Sequence, residues 1–208
     1  MAPTGPSTSL EAGAPVAAIG FTIKSGWTAA VLVTGTTAAP RLVAVERVEI
    51  SDPEVPESKQ PYHEGFGTAR GPSAALRRLV TSVERYGAKS VADFIQRQQT
   101  QYQVCGAGLI VGSLIDPATI GNDHIRIHAL EGQLFREVVR TAASARRLDT
   151  MIWRERDVYD AATGPLGGTE AAIKTRVAAL GRGRSGPWRA EHKLAAVAAL
   201  LMLARSRA

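Results

Sequence analysis

Two histidines and a glutamate form the first pattern that could carry chemistry. His124, His128 and Glu131 stand at positions i, i+4 and i+7, a spacing that puts three side chains on one face of a helix. Imidazole nitrogens and carboxylate oxygens are ligands for divalent metals, so this face could hold one ion. Polar residues at this spacing are also typical of a solvated helix face, and the other histidines, His63 and His192, are remote in sequence. We favour the solvated face and keep the three residues as metal candidates.

A second pattern is Lys24-Ser25-Gly26, a tight turn between two apolar runs. The backbone N–H groups of such a turn, the hydroxyl of Ser25 and the ammonium of Lys24 could together bind a phosphate. The GxxxxGK[ST] sequence of a Walker loop is absent. An ordinary turn with a solvated lysine is the favoured interpretation, and phosphate binding by Lys24 and Ser25 is the alternative.

Positive charge is concentrated towards the C-terminal end. Residues 136–208 hold 14 Lys and Arg against 7 Asp and Glu, whereas the preceding residues hold 11 against 12. Arg182 and Arg184 flank Gly183 in a linker, and Arg176 shortly precedes them. These three arginines are our candidates for contacts with the phosphates of a nucleic acid. A solvated, arginine-rich surface is the competing interpretation, and composition alone favours it.

The elements that carry these residues follow from the hydrophobic pattern. Three apolar runs separated by turns predict an antiparallel meander, and one continuous apolar run predicts a strand buried on both faces. The predicted strands cover 16–23, 27–33, 41–50, 104–114 and 148–153, and the predicted helices begin near Ser73, Ser90, Asn122, Thr169 and Trp188. Gly87 and Gly181 are expected to end two of these helices. The order β-β-β-α-α-β-α-β-α-α predicts an α/β fold with helices on both faces of a mixed sheet.

Composition limits the class of protein. The chain is 45% apolar, which is enough for a packed core. Residues 1–15 are rich in Pro, Ser, Gly and Ala and lack a basic start and an apolar region, so we expect a disordered tail and no signal peptide. Residues 16–208 then form one domain, in which 51–72 is a proline-rich loop insertion. No apolar run reaches the ~18 residues of a membrane span, so we expect a cytoplasmic protein without a membrane partner.

Three stretches give the sequence a family resemblance. AIGFTIKSGWTAAVLV is similar to the opening hairpin of ribonuclease-H-like proteins of the RuvC and YqgF types, including the Gly26-Trp27 pair. LIVGSL with LEGQLFREVV resembles their fourth strand and the helix that follows it. GGTEAAIKTRVAALG and PWRAEHKLAAVAALLML resemble their last two helices. The resemblance implies a ribonuclease-H-like mixed sheet, with three antiparallel strands followed by parallel ones.

The resemblance also implies where nuclease carboxylates would lie. Active members bind two divalent metal ions with clustered carboxylates, and these ions activate water and stabilise the leaving oxygen. The first-strand aspartate would fall at Phe21 or Thr22, where this chain has no acid. The remaining candidates are Asp116 or Glu131 for the middle position and Glu191 in the last helix. Lys24 and Lys193, close to two of these positions, would repel a metal ion.

The sequence thus favours a catalytically degenerate ribonuclease-H-like domain that binds nucleic acid or a protein partner without a cofactor. One alternative is a Mg²⁺-dependent nuclease that uses the rearranged set Asp116, Glu131 and Glu191. Another is a nucleotide or phosphate binder that uses Lys24 and Ser25.

Overall fold

The computed structural model describes residues 13–65 and 68–206, so most of the predicted N-terminal tail lies outside the described residues. One five-stranded sheet has the order β3-β2-β1-β6-β7. Strands β1, β2 and β3 pair antiparallel, whereas β6 pairs parallel with β1 and β7 parallel with β6. The strands are β1 Val16–Lys24, β2 Trp27–Gly35, β3 Pro40–Glu49, β4 His63–Gly65, β5 Thr68–Ala69, β6 Gln103–Val111 and β7 Thr150–Arg154. This topology confirms the predicted mixed α/β sheet.

Helices cover both faces of the sheet, as the sequence predicts. They are α1 Ala74–Gln99, α2 Asp123–Ala145, α3 Val158–Leu166, α4 Glu170–Leu180 and α5 Ala190–Arg205. Helices α1 and α2 pack on one face through apolar residues such as Phe94 and Phe135. Helices α3, α4 and α5 pack on the other face. Side chains alternate between the faces along each strand, so Phe21 of β1 enters the first core and Ala18 the second.

Helix α5 approaches the sheet closely because small residues face each other across the interface. A β-carbon added at Gly20 of β1 would lie 1.7 Å from the carbonyl oxygen of Ala195. One added at Gly108 of β6 would lie 2.7 Å from the carbonyl oxygen of Ala198. Ten residues of α5 are buried, many of them alanines. Glycine at these two strand positions lets the helix backbone rest directly on the sheet.

Local capping signals located three helix starts, but the predicted helix end at Gly87 and the predicted helix start at Ser90 both fall inside the single helix α1. Ser73, Asn122 and Thr169 each accept a hydrogen bond from a backbone N–H of the first turn, as predicted. The prediction that Gly87 ends a helix is wrong, because α1 continues through it for 26 residues. A β-carbon at Gly87 would lie 2.5 Å from Cγ2 of Ile50 and 2.8 Å from Cγ1 of Val138. Glycine is required there by close packing and not by a turn.

Three segments differ from the sequence-based expectations. Helix α3 was not predicted, and it holds Gly164 and Pro165 near its end, two residues that weaken a helix signal. Segment 51–72, expected to be irregular, contains a 3₁₀ turn at Pro56–Lys59 and the short β4–β5 hairpin. Strand β6 ends at Val111, and the predicted strand residue Leu114 is exposed. In the described part of the chain, no helix is long and apolar enough to cross a membrane.

Candidate functional site

A cleft opens at the carboxyl ends of β1, β6 and β7. It has a volume of about 350 Å³ and is lined by Lys24, Ser25, Ser113, His128 and Glu155 among others. The Lys24 ammonium forms an ion pair with the carboxylate of Glu155. The backbone N–H of Glu155 donates to the Val111 carbonyl at 2.9 Å, which anchors this residue just beyond β7. The lysine of the predicted phosphate turn is therefore already paired with a carboxylate.

The first-strand acid position holds a threonine with a structural role. Thr22 is fully buried, and its hydroxyl donates a 2.8 Å hydrogen bond to the backbone carbonyl of Glu191 in the first turn of α5. Phe21 points to the other face, where its ring meets Phe94 edge-on with 6.0 Å between centroids. Thr22 thus fastens β1 to α5 at the place where a metal-binding carboxylate would be needed.

The three carboxylate candidates do not come together. Asp116 is exposed and accepts a 2.9 Å hydrogen bond from the Ala118 N–H, so it caps a short 3₁₀ turn. Glu131 is buried on α2 against His63, and Glu191 lies at the start of α5 on the opposite face of the sheet. Within residues 13–65 and 68–206, these three do not form a group of metal-binding side chains. The rearranged set Asp116, Glu131 and Glu191 is therefore not supported as one site.

A histidine cluster is instead built from α2 and the β4–β5 hairpin. His124 and His128 lie one turn apart on α2, with their Nε2 atoms 3.3 Å from each other. His63 joins them from β4, and its ring centroid lies 5.1 Å from that of His128. One nitrogen of each ring lies within 4.8 Å of those of the other two rings. In the described part of the chain this is the one group of three such side chains, and the sequence pattern had supplied two of its members.

Glu131 supports this cluster from inside the protein. Its Oε1 lies 2.8 Å from Nδ1 of His63, and the side chain is only 1% exposed. Burial raises the pKa of Glu131, while the hydrogen bond and the charge of His63 act in the opposite direction. Its Oε2 is buried without a hydrogen-bond partner. The predicted ligand Glu131 therefore contacts the third histidine, His63, and is not itself a member of the three-histidine group.

Four arginines line a groove on the other side of the molecule. We use "arginine groove" for the surface between the C-terminal end of α4 and the start of β3, with a volume of about 650 Å³. The predicted residues Arg176, Arg182 and Arg184 line it together with Arg41. None of the four forms an ion pair with a carboxylate of the described residues.

The four arginines differ in how freely they can reach a ligand. Arg41 and Arg182 are exposed. Arg184 donates to the Pro187 carbonyl, which bends its side chain back along the linker. Arg176 is half-buried, donates to the Leu166 carbonyl at 3.1 Å, and has a buried Nε without a partner. Arg176 therefore has a structural role in addition to its place in the groove.

Comparison with known structures identifies the architecture. The structure of Thermus thermophilus RuvC covers 92% of this chain and 95% of its own, with a TM-score of 0.56 and 13% identity. T. thermophilus RuvC in complex with a Holliday junction substrate gives the same coverage and TM-score, with 12% identity. The chain has a RuvC-like fold. No protein-family model and no curated protein sequence matches it.

Only site residues that lie close together in the sequence could be predicted from it. Local patterns pointed to the helical histidines and to the arginines of the linker, because each set lies within a few residues. Three other members were missed, namely His63, Arg41 and Glu155. Each comes from a different element and carries no local motif, so no spacing in the sequence connects it with its partners.

Proposed function

We propose that this RuvC-like protein binds nucleic acid through the arginine groove and does not cleave it. The observation that carries the proposal is the convergence of four arginines on one groove without a carboxylate to neutralise them. Guanidinium groups bind phosphate oxygens through paired hydrogen bonds. A groove of this kind matches the charge of a phosphate backbone and carries no feature that would select a base sequence.

We infer the lack of cleavage from the residues at the carboxyl ends of β1 and β7. Metal-dependent phosphodiester cleavage needs several anionic oxygens around the metal ions. In this chain Thr22 occupies the first-strand position and is committed to a hydrogen bond with α5. Lys24 places a cation beside that position, paired with Glu155. Both features favour a binding protein over a nuclease.

The nucleic acid is proposed to be branched or duplex DNA. The similar structure of T. thermophilus RuvC was determined with a Holliday junction, so a four-way junction is the first probe to use. Fluorescence anisotropy with a labelled junction, a duplex and a single strand of equal nucleotide number compares the candidates directly. Tighter binding of the junction or the duplex than of the single strand is expected.

The arginine groove makes a quantitative prediction about salt. If the four arginines neutralise about four phosphates, log K falls against log[salt] with a slope of about −3.6. The affinity should then fall by about 150-fold between 50 and 200 mM salt. A triple variant with Arg41→Ala, Arg182→Ala and Arg184→Ala should reduce the slope to about −0.9. Arg176 is left intact because it also contacts Leu166.

A matched triple variant controls for net charge. Arg77, Arg78 and Arg85 are exposed on α1, on the opposite face of the sheet. Replacing these three with Ala removes the same charge and should leave the salt slope nearly unchanged. Equal loss in both triple variants would refute the groove, and no binding at about 50 mM salt would favour a protein partner instead.

Incubation of the same probes with Mg²⁺ or Mn²⁺ tests the second half of the proposal. No strand cleavage is expected from the wild-type protein. Cleavage that disappears in Glu131→Gln or Glu191→Gln would show that a rearranged carboxylate set is active, and the proposal of a non-cleaving protein would be wrong.

A further inference from the structure

The histidine cluster has the spacing of a metal site. With Zn–N bonds of about 2.0–2.1 Å, two ligand nitrogens on a tetrahedral zinc ion lie about 3.3–3.4 Å apart. The Nε2 atoms of His124 and His128 are 3.3 Å apart. The third imidazole, from His63, is near enough that all three ligand nitrogens fall within 4.8 Å. Small rotations of the two exposed side chains, His124 and His128, would complete one coordination sphere with His63.

Two segments that are distant in the sequence build this cluster, and each is held in place without a metal. The helical pair is fixed by α2, which begins at the Asn122 cap. His63 is fixed by Arg70, which donates to the backbone carbonyl of His63 at 3.0 Å and to that of Pro61 at 3.1 Å. The cluster is therefore positioned by the backbone on both sides.

Glu131 occupies the position of a supporting residue behind a metal-bound histidine. Metal-binding histidines usually donate the N–H of their other ring nitrogen to a carboxylate or a carbonyl, which sets the tautomer and orients the ring. Glu131 Oε1 accepts at 2.8 Å from Nδ1 of His63. The Nε2 atom of His63 then carries the free lone pair. A glutamate that is only 1% exposed is costly to keep in the protein interior, and a supporting role accounts for its presence.

We propose that His63, His124 and His128 bind one zinc ion, with Glu131 as the positioning residue for His63. Imidazole ligands favour zinc and its neighbours in the first transition row over Mg²⁺, which prefers oxygen ligands. Three protein ligands leave a fourth position on the tetrahedral ion for water or another small oxygen ligand. His128 also lines the cleft beside Lys24 and Glu155, so the proposed ion would lie next to this cleft. The ion would also fasten the β4–β5 hairpin to α2.

The proposal does not depend on nucleic-acid binding and is tested with the metal alone. The full chain, freed of metal by a chelator, is titrated with Zn²⁺ against a chromogenic zinc chelator. We expect one zinc ion per chain, no competition from excess Mg²⁺ and a rise in Tm on zinc binding. Titration with Co²⁺ should give the intense visible absorption of a tetrahedral site.

Single variants assign the ligands. His124→Ala and His128→Ala change exposed side chains, so the fold should persist while the visible Co²⁺ bands and the zinc-dependent rise in Tm disappear. Glu131→Gln should weaken zinc binding by about 10–100-fold. His192→Gln is the matched control because it removes the one histidine outside the cluster, and it should bind zinc like the wild type.

Four outcomes would contradict the proposed zinc site. One is the absence of stoichiometric zinc binding by the wild-type chain. Another is zinc binding that survives both His124→Ala and His128→Ala, and a third is a Co²⁺ spectrum of the weak octahedral kind. Loss of binding in His192→Gln equal to that in His128→Ala would place the ion elsewhere.

Discussion

Replacing Gly20 with alanine is expected to be among the most damaging small changes in this protein. The new β-carbon would lie 1.7 Å from the Ala195 carbonyl oxygen and 3.0 Å from the Ala199 nitrogen. Carbon and carbonyl oxygen atoms normally approach to about 3.3 Å, so α5 would have to withdraw by on the order of 1.5 Å. No change of rotamer can relieve the clash, because both partners belong to helix backbone.

The expected loss of stability depends on how many contacts break when α5 moves away from the sheet. Ten residues of α5 are buried against the sheet and its neighbours, and a gap of about 0.5–1 Å already forfeits a quarter to a half of a van der Waals contact. Ordinary overpacking costs about 1–3 kcal/mol. We expect the free energy of unfolding to fall by at least about 3 kcal/mol, which is the upper end of that range. For a chain of this size this corresponds to a fall in Tm of about 6–12 °C.

Thermal and urea unfolding followed by circular dichroism would measure the effect. Gly132→Ala is the matched control, because it makes the same chemical change at an exposed position of α2 where a β-carbon meets nothing within 4 Å. That control should raise the free energy of unfolding by about 1 kcal/mol, since alanine favours helix over glycine. A Gly20→Ala protein within 1 kcal/mol of the wild type would refute the close packing of α5 on β1.

Two further predictions concern the first turn of α5. Thr22→Val keeps the shape of the side chain but removes its hydrogen bond to Glu191, so it should cost about 1 kcal/mol in urea unfolding. Burial, together with the charges of Arg184 and Arg189, lowers the pKa of His192 against the opposing effect of Glu191. The unfolded chain therefore binds more protons below about pH 6.5, and the free energy of unfolding should fall as the pH falls through that range. His192→Gln should flatten this part of the stability profile, and an unchanged slope between pH 7.5 and 5.5 would contradict the assignment.

The sequence predicts those parts of the fold that depend on local patterns. Runs of apolar residues located the five strands of the sheet, and the side chains of Ser73, Asn122 and Thr169 located three helix starts. The prediction for Gly87 was wrong because the residues that require a glycine there, Ile50 and Val138, are distant in sequence. A glycine that ends a helix cannot be distinguished in the sequence from one that allows close packing, because only their tertiary surroundings differ.

The candidate sites also combine residues that local patterns reveal with residues that only the fold brings together. Helical periodicity brought out His124 and His128, but their partner His63 reaches them only through the path of segment 51–72. Lys24 and Glu155 are 131 residues apart, and their pairing depends on β1 and β7 ending at the same edge of the sheet. Charge density found the linker arginines, whereas Arg41 enters the groove from an edge strand. Contacts between residues of different elements could not be predicted from their spacing in the sequence.

The strand order has a consequence for how the chain can fold while it is being synthesised. Strands β1, β2 and β3 can pair as soon as they emerge, but the other edge of β1 belongs to β6, which ends at Val111. Roughly 60 residues separate the end of β3 from that point, and ribosomes add about 5–20 residues per second. The open edge of a nearly apolar strand is thus exposed for roughly 3–12 s. Such edges promote association between chains, so the nascent meander is the stage at which this protein most needs protection from aggregation.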